Sequence, residues 1–137
     1  MKTSLLTSLG HAGFLLETSS TALIIDPWFN PKGAFNSAWF QFPKNHDYLD
    51  FLIKKIHNKK VGVYITHEHE DHFCKYSINK LSNYITDFYI PNYKIKTFKN
   101  QFDMLQIVSL KEVKENETIK VGDIEYNIFI EESGINR

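Results

Sequence analysis

The chain has 137 residues, the length of one domain and enough to bury a core. Lys and Arg number 16 and Asp and Glu 16, so the net charge is zero and nothing points to a nucleic-acid partner held by counterion release. A hydrophobic content of 42%, with 15% aromatic, excludes a disordered composition, and the lone Cys74 excludes both an internal disulfide and a cysteine-rich zinc or iron–sulfur site.

Near the start, Leu5-Leu6, Phe14 to Thr18 and Ala22 to Ile25 read as three short strands, separated by Gly10-His11-Ala12-Gly13 and by Ser19-Ser20. They predict an antiparallel meander. Asp26-Pro27-Trp28 stops the third strand, because proline has no N–H to give a ladder, and Asn30-Pro31-Lys32-Gly33 opens a loop carrying Phe29, Phe35, Trp39, Phe40 and Phe42. Asn45-His46-Asp47 offers a cap for a helix whose apolar residues Leu49, Leu52, Ile53 and Ile56 fall at helical spacing. Val61 to Thr66 is apolar nearly throughout, as in a strand covered on both faces, and runs into His67. Beyond it the pattern predicts a helix over 76–83, an extended segment over 88–90, a weak helix over 94–102 and a strand over 105–110. A hairpin of 117–121 with 124–130 follows, turned at Gly122-Asp123. Strands alternating with helices make the expected class α/β, in a single domain over 1–137. The lysine-rich stretches 54–60 and 94–99 read as solvated helix faces. No apolar run approaches the ~18 residues of a membrane span. The first ten residues break each apolar pair with Ser or Thr, so no export signal is expected and the expected compartment is the cytoplasm.

Residues 67–72 read His67-Glu68-His69-Glu70-Asp71-His72. With six His and seven Asp in the chain, an H-x-H-x-D-H pattern arises by chance with a probability on the order of one in a few thousand. Two imidazoles two residues apart on an extended segment project to one side and can reach one metal ion. The turn that follows can swing Asp71 and His72 toward a second. Imidazole and carboxylate suit zinc, with manganese or iron also allowed, in one or two ions. A protease of the H-E-x-x-H type is excluded, since no histidine lies four residues after His67, and no G-x-S-x-G nucleophile elbow occurs. Cys74 reads as a small buried residue behind the loop.

The hexapeptide resembles the metal motif of the metallo-β-lactamase superfamily. So do Leu9-Gly10-His11-Ala12-Gly13-Phe14 and Leu23-Ile24-Ile25-Asp26-Pro27-Trp28, in the expected order ahead of it. The resemblance covers roughly residues 5 to 75. It implies an αββα sandwich in which His67 and His69 bind one ion and Asp71 and His72 another, with Asp71 also catalytic. Asp26 would steady a ligating imidazole, and a turn aspartate before Pro27 is the other reading. The Gly-His-Ala and Asp-Pro-Trp phrases are similar to a branch holding lactonase-like proteins, N-acyl-phosphatidylethanolamine phospholipase D and CMP-N-acetylneuraminate hydroxylase-like proteins. There His11 would lie near the site rather than on a metal, or be a hydrogen-bonded structural histidine. Trp28 and Trp39 would wall a substrate cleft or cover a core.

The superfamily takes further ligands from the second half of its fold, whereas here no histidine follows His72. Residues 1–137 are therefore expected to be the N-terminal half of the sandwich, with Glu131 and Glu132 open as substitutes for a missing ligand or as a solvated strand end. The activity implied is that of a hydrolase in which a metal-activated water attacks an ester, lactone or phosphodiester in a small-molecule substrate. A hydroxylase-like protein with a separate electron-transfer domain, or a fragment without catalysis, are the alternatives.

Overall fold

A computed structural model describes residues 3–105, 107 and 109–130. The meander forms as expected from β1 (Leu5–Gly10), β2 (Gly13–Glu17) and β3 (Thr21–Ile25), with Leu6 opposite Leu16 and Leu16 opposite Leu23. The chain then crosses over through α1 (Tyr48–Ile56) to β4 (Lys60–Tyr64), through α2 (Lys75–Leu81) to β5 (Asp87–Pro91), and through α3 (Thr97–Asp103) to β6 (Leu110–Val113). Each of these three strands runs parallel to its predecessor in the sheet, so the order β1-β2-β3-β4-β5-β6 is antiparallel on one side and parallel on the other. A helical crossover is what a parallel pair requires.

Strand alternation sorts the side chains into two cores. On one face Leu15, Ile24, Val63 and Phe88 pack with Leu52 and Ile56 of α1, Ile78 of α2 and Phe102 of α3. On the other, Leu23, Tyr64 and Tyr89 meet Val121 and Ile124 of the hairpin β7 (Ile119–Val121) and β8 (Ile124–Tyr126). Gly62 makes that second layer possible: a Cβ there would lie 3.0 Å from both methyls of Val121. The molecule is thus a mixed α/β fold with helices on one face of a central mixed sheet and a small second sheet on the other.

Two expectations shift. The strand expected over 105–110 is instead β6, pairing Leu110 with Phe88 and Val113 with Pro91. Leu105 and Ile107 pack on the helix-side core, while the edge strand takes Lys111 and Glu112, charges that suit an exposed sheet edge. Asn45 does not cap α1. Its amide donates to the carbonyls of Leu9 at 2.7 Å and Trp28 at 3.0 Å, tying the aromatic loop to the end of β1. Glu131 and Glu132 lie outside the described residues.

Candidate metal centre

The hexad follows β4 at the end of the sheet where β3 delivers Asp26 and the β1–β2 turn delivers His11. β4 stops at Tyr64, two residues sooner than the apolar run suggests, and the chain bends from Glu68 onward into a turn closed by the His72 amide on the His69 carbonyl at 2.9 Å. The four hexad side chains nevertheless converge. His67 Nε2 lies 3.1 Å from His69 Nδ1, the rings of His67 and His72 are 4.1 Å apart, and His72 Nε2 lies 3.5 Å from Asp71 Oδ2. His69 is exposed, His67 and His72 are half-buried, and Asp71 is 5% exposed.

Asp26 is buried at 2% exposure with φ of 44°, a left-handed backbone that aspartate tolerates better than most residues. Its Oδ1 accepts from the Thr66 amide at 2.8 Å. Its Oδ2 accepts from the Thr66 hydroxyl at 2.7 Å and from His72 Nδ1 at 2.7 Å. The network assigns the protons. A carboxylate only accepts, so the Thr66 hydroxyl and His72 Nδ1 both donate to it. The hydroxyl has one proton, so at 2.9 Å it accepts from His67 Nδ1. Both rings therefore carry a proton on Nδ1, which in the neutral imidazole leaves Nε2 as the donor atom toward a metal. Asp71 Oδ2 accepts from His11 Nε2 at 2.8 Å and lies 3.5 Å from His72 Nε2, while Asp71 Oδ1 is buried with no hydrogen-bond partner among the described residues. An orphaned buried carboxylate oxygen beside converging imidazoles is what a cation relieves, so the residues present fit a divalent ion.

The sequence pattern gave no reason to single out Thr66. Only its position beside His67 at a strand end marks it. His11, with φ of 51°, places Nε2 2.8 Å from Asp71 Oδ2, and its ring meets Trp28 edge-on at 4.9 Å. Trp28 is buried at 2% exposure behind His11, while Trp39 is 55% exposed and stacks edge-on to Phe35 at 5.4 Å. A cavity of about 470 Å³ opens on the His69 side, lined by Phe35, Glu68, Glu70, Phe73 and Tyr76 but by neither tryptophan. Glu70 reaches across to accept the Phe35 amide at 2.7 Å. Cys74 is buried behind the loop and accepts the Ser77 hydroxyl at 3.2 Å. Beneath the site, burial pushes the Tyr64 phenol far above its usual value, and Tyr93 and Asp26 add to the shift.

The family model of the beta-lactamase superfamily domain matches residues 5–133. The chain belongs to this superfamily. It is 30% identical over 106 residues to a Mycolicibacterium smegmatis protein, and 32% identical over 99 residues to one from Mycobacterium tuberculosis, both named as Rieske 2Fe-2S iron-sulfur proteins. The matches take in 72% of the chain and 18% of each relative, so the chain spans about a fifth of their length. Among solved structures, CmlA, a diiron β-hydroxylase from Streptomyces venezuelae, superposes with a TM-score of 0.64 at 20% identity, over 91% of the chain and 23% of CmlA. That likeness is one of fold. Igni18, a metallo hydrolase from Ignicoccus hospitalis, superposes with a TM-score of 0.52 at 25% identity, over 86% of the chain and 42% of its own. Superfamily membership and a fold shared with metal enzymes make this a metal-binding fold, and no helix among the described residues is long and apolar enough to cross a membrane.

Proposed function

We propose that the chain is the N-terminal, metal-binding half of a metal-dependent hydrolase acting on a small ester, lactone or phosphodiester. In this reading His67 and His69 hold one divalent ion and Asp71 with His72 hold another, zinc first, with manganese or iron also suited to the donors. The observation that carries it is the buried Asp71 carboxylate, its Oδ1 orphaned and its Oδ2 3.5 Å from His72 Nε2.

When bound, such an ion acidifies a water and polarises the electrophile. The chain's own groups do the remainder. Asp71 offers a carboxylate oxygen that orients the attacking water and takes its proton. Asp26 and Thr66 hold the rings of His67 and His72 with Nε2 turned to the site. The cavity beside His69 gives the substrate an aromatic wall at Phe35 and Tyr76.

Metal content of the purified chain, reconstituted and dialysed, tests this directly. Near-stoichiometric zinc, manganese or iron that disappears in a His67→Ala/His69→Ala variant is expected; metal no higher than in that variant refutes it. A second reading has one observation in its favour: the relatives named as Rieske iron–sulfur proteins are more than five times longer than the segment they share. In that reading the ion is iron and a separate domain supplies electrons to a hydroxylase-like centre. Selective retention of iron over zinc on reconstitution would favour it.

A further inference from the structure

We infer that His11 is a metal ligand that completes, with Asp71 and His72, a three-donor site built entirely from the first 72 residues. The inference rests on the reading that the hexad binds a divalent ion, and it names a donor that the hexad lacks.

Six histidines are available in this chain, and His46 and His57 flank α1 rather than the hexad. His11 is the one outside the hexad that arrives at it. Its place in the turn between β1 and β2 is held at φ of 51°, a left-handed conformation that histidine, like asparagine and aspartate, takes more readily than most residues. Trp28, buried behind it, fixes the ring edge-on at 4.9 Å. The consequence is that Nε2 is aimed at Asp71 Oδ2, 2.8 Å away, on the oxygen that His72 Nε2 also faces at 3.5 Å. One donor atom each from His11, Asp71 and His72 lie within 4.8 Å of one another.

Two features point from this cluster to an ion. Asp71 is 5% exposed and its Oδ1 has no partner among the described residues. The cluster also brings two imidazoles to one carboxylate, a donor set that divalent ions take. Without an ion, His11 Nε2 donates to Asp71 Oδ2 at 2.8 Å, and a bound ion would take the place of that proton. The other role for His11 is a plain hydrogen bond that orients Asp71, and the test separates the two.

The 137-residue chain, with histidine labelled at the ring nitrogens, is loaded with the spin-half isotope of cadmium. Scalar coupling between cadmium and the His11 ring nitrogen, alongside coupling to His72, is expected. Cobalt binding followed by its visible absorption should weaken at least about tenfold in both His11→Ala and His11→Gln, the second of which keeps a hydrogen-bond donor. Coupling to hexad histidines without His11, or cobalt affinity in His11→Gln equal to that of the unsubstituted chain, overturns the ligand role and leaves the hexad reading standing. Coupling to no histidine at all overturns both. The cadmium measurement uses the unsubstituted chain, so it does not depend on either variant folding.

Discussion

The Thr66 hydroxyl donates to Asp26 Oδ2 at 2.7 Å, and this bond extends the hold of a single buried carboxylate from one ring to two. His72 is held directly by Asp26, and His67 is held by the hydroxyl oxygen that Asp26 has oriented. Thr66→Val keeps the shape and removes the relay, freeing His67 to choose either tautomer. Metal affinity should fall by about 10–100-fold in Thr66→Val and stay near the original in Thr66→Ser, measured by titration with zinc or cobalt. Equal affinity in the valine variant would mean that the ring is fixed by packing alone.

Asp26 itself should weigh on stability as well as on metal. Removing it leaves the Thr66 amide, the Thr66 hydroxyl and His72 Nδ1 without their acceptor in a buried pocket. A buried donor stranded in this way costs about 1–3 kcal/mol, so Asp26→Ala should destabilise the chain by roughly 2–5 kcal/mol in denaturant unfolding without added metal. Asp26→Asn tolerates the same left-handed backbone and should cost less, but its amide N–H₂ confronts a donor, so it does not restore the relay.

Much of this arrangement was legible in the residues. The hexad announced itself by spacing, and the meander by alternation and by Ser/Thr and Gly punctuation, because both signals are local. The strand over 105–110 was misplaced because the apolar side chains of Leu105 and Ile107 serve the helix-side core, and strand pairing fell to the charged Lys111 and Glu112 at the sheet edge. Asn45 looked like a cap because caps are local, whereas its amide bonds the carbonyls of Leu9 and Trp28 across long gaps in sequence. Thr66 was invisible for the same reason. Its importance lies in Asp26, forty residues upstream, and no periodicity encodes that.

The tyrosines under the site fix an alkaline limit. Burial pushes the phenols of Tyr64 and Tyr126 well above their usual value, so the folded state holds their protons more tightly than the unfolded chain does. The stability they contribute is present below the unfolded value of about 10 and is lost as pH rises past it. Denaturant midpoints should therefore fall steeply above about pH 10, and Tyr64→Phe should make that fall shallower. A midpoint that declines equally in the phenylalanine variant would place the alkaline sensitivity elsewhere.

The acid side is set partly at the edge of the sheet. Burial raises the Asp87 carboxyl, but the bond from the Ser109 hydroxyl and the nearby Lys111 and Lys60 outweigh it and leave the group below its usual value. A depressed carboxylate stabilises the fold above its unfolded value, about 3.9, and that contribution disappears as pH falls through the folded value. Asp87→Asn should thus lower stability modestly at neutral pH, where Lys111 is half-exposed and screened, and match the unsubstituted chain in acid, so that the profile flattens below about pH 4.

The aromatic loop is fixed to the metal loop by a hydrogen bond between Phe35 and Glu70, and that bond is open to a clean test. Phe35, Asn36 and Ser37 all have positive φ, between 54° and 63°, and the Phe35 amide is held by Glu70 at 2.7 Å. Gly33 permits the closure: with φ of 72°, a Cβ there would sit 2.0 Å from the Trp39 carbonyl oxygen. Glu70→Gln keeps an acceptor and should leave the loop in place. Glu70→Ala removes it, and three strained residues next to an exposed Trp39 then lack their anchor. Amide exchange over 33–39 should accelerate by about tenfold or more in Glu70→Ala, corresponding to a loss of roughly 1.4 kcal/mol of local protection, with exchange in β4 unchanged. Gly33→Ala should disturb the same segment more severely, since the backbone oxygen it strikes cannot rotate away as a flexible side chain would. If Glu70→Ala leaves exchange over the loop unaltered, the anchor lies instead in the backbone pairing of Ala34 with Trp39.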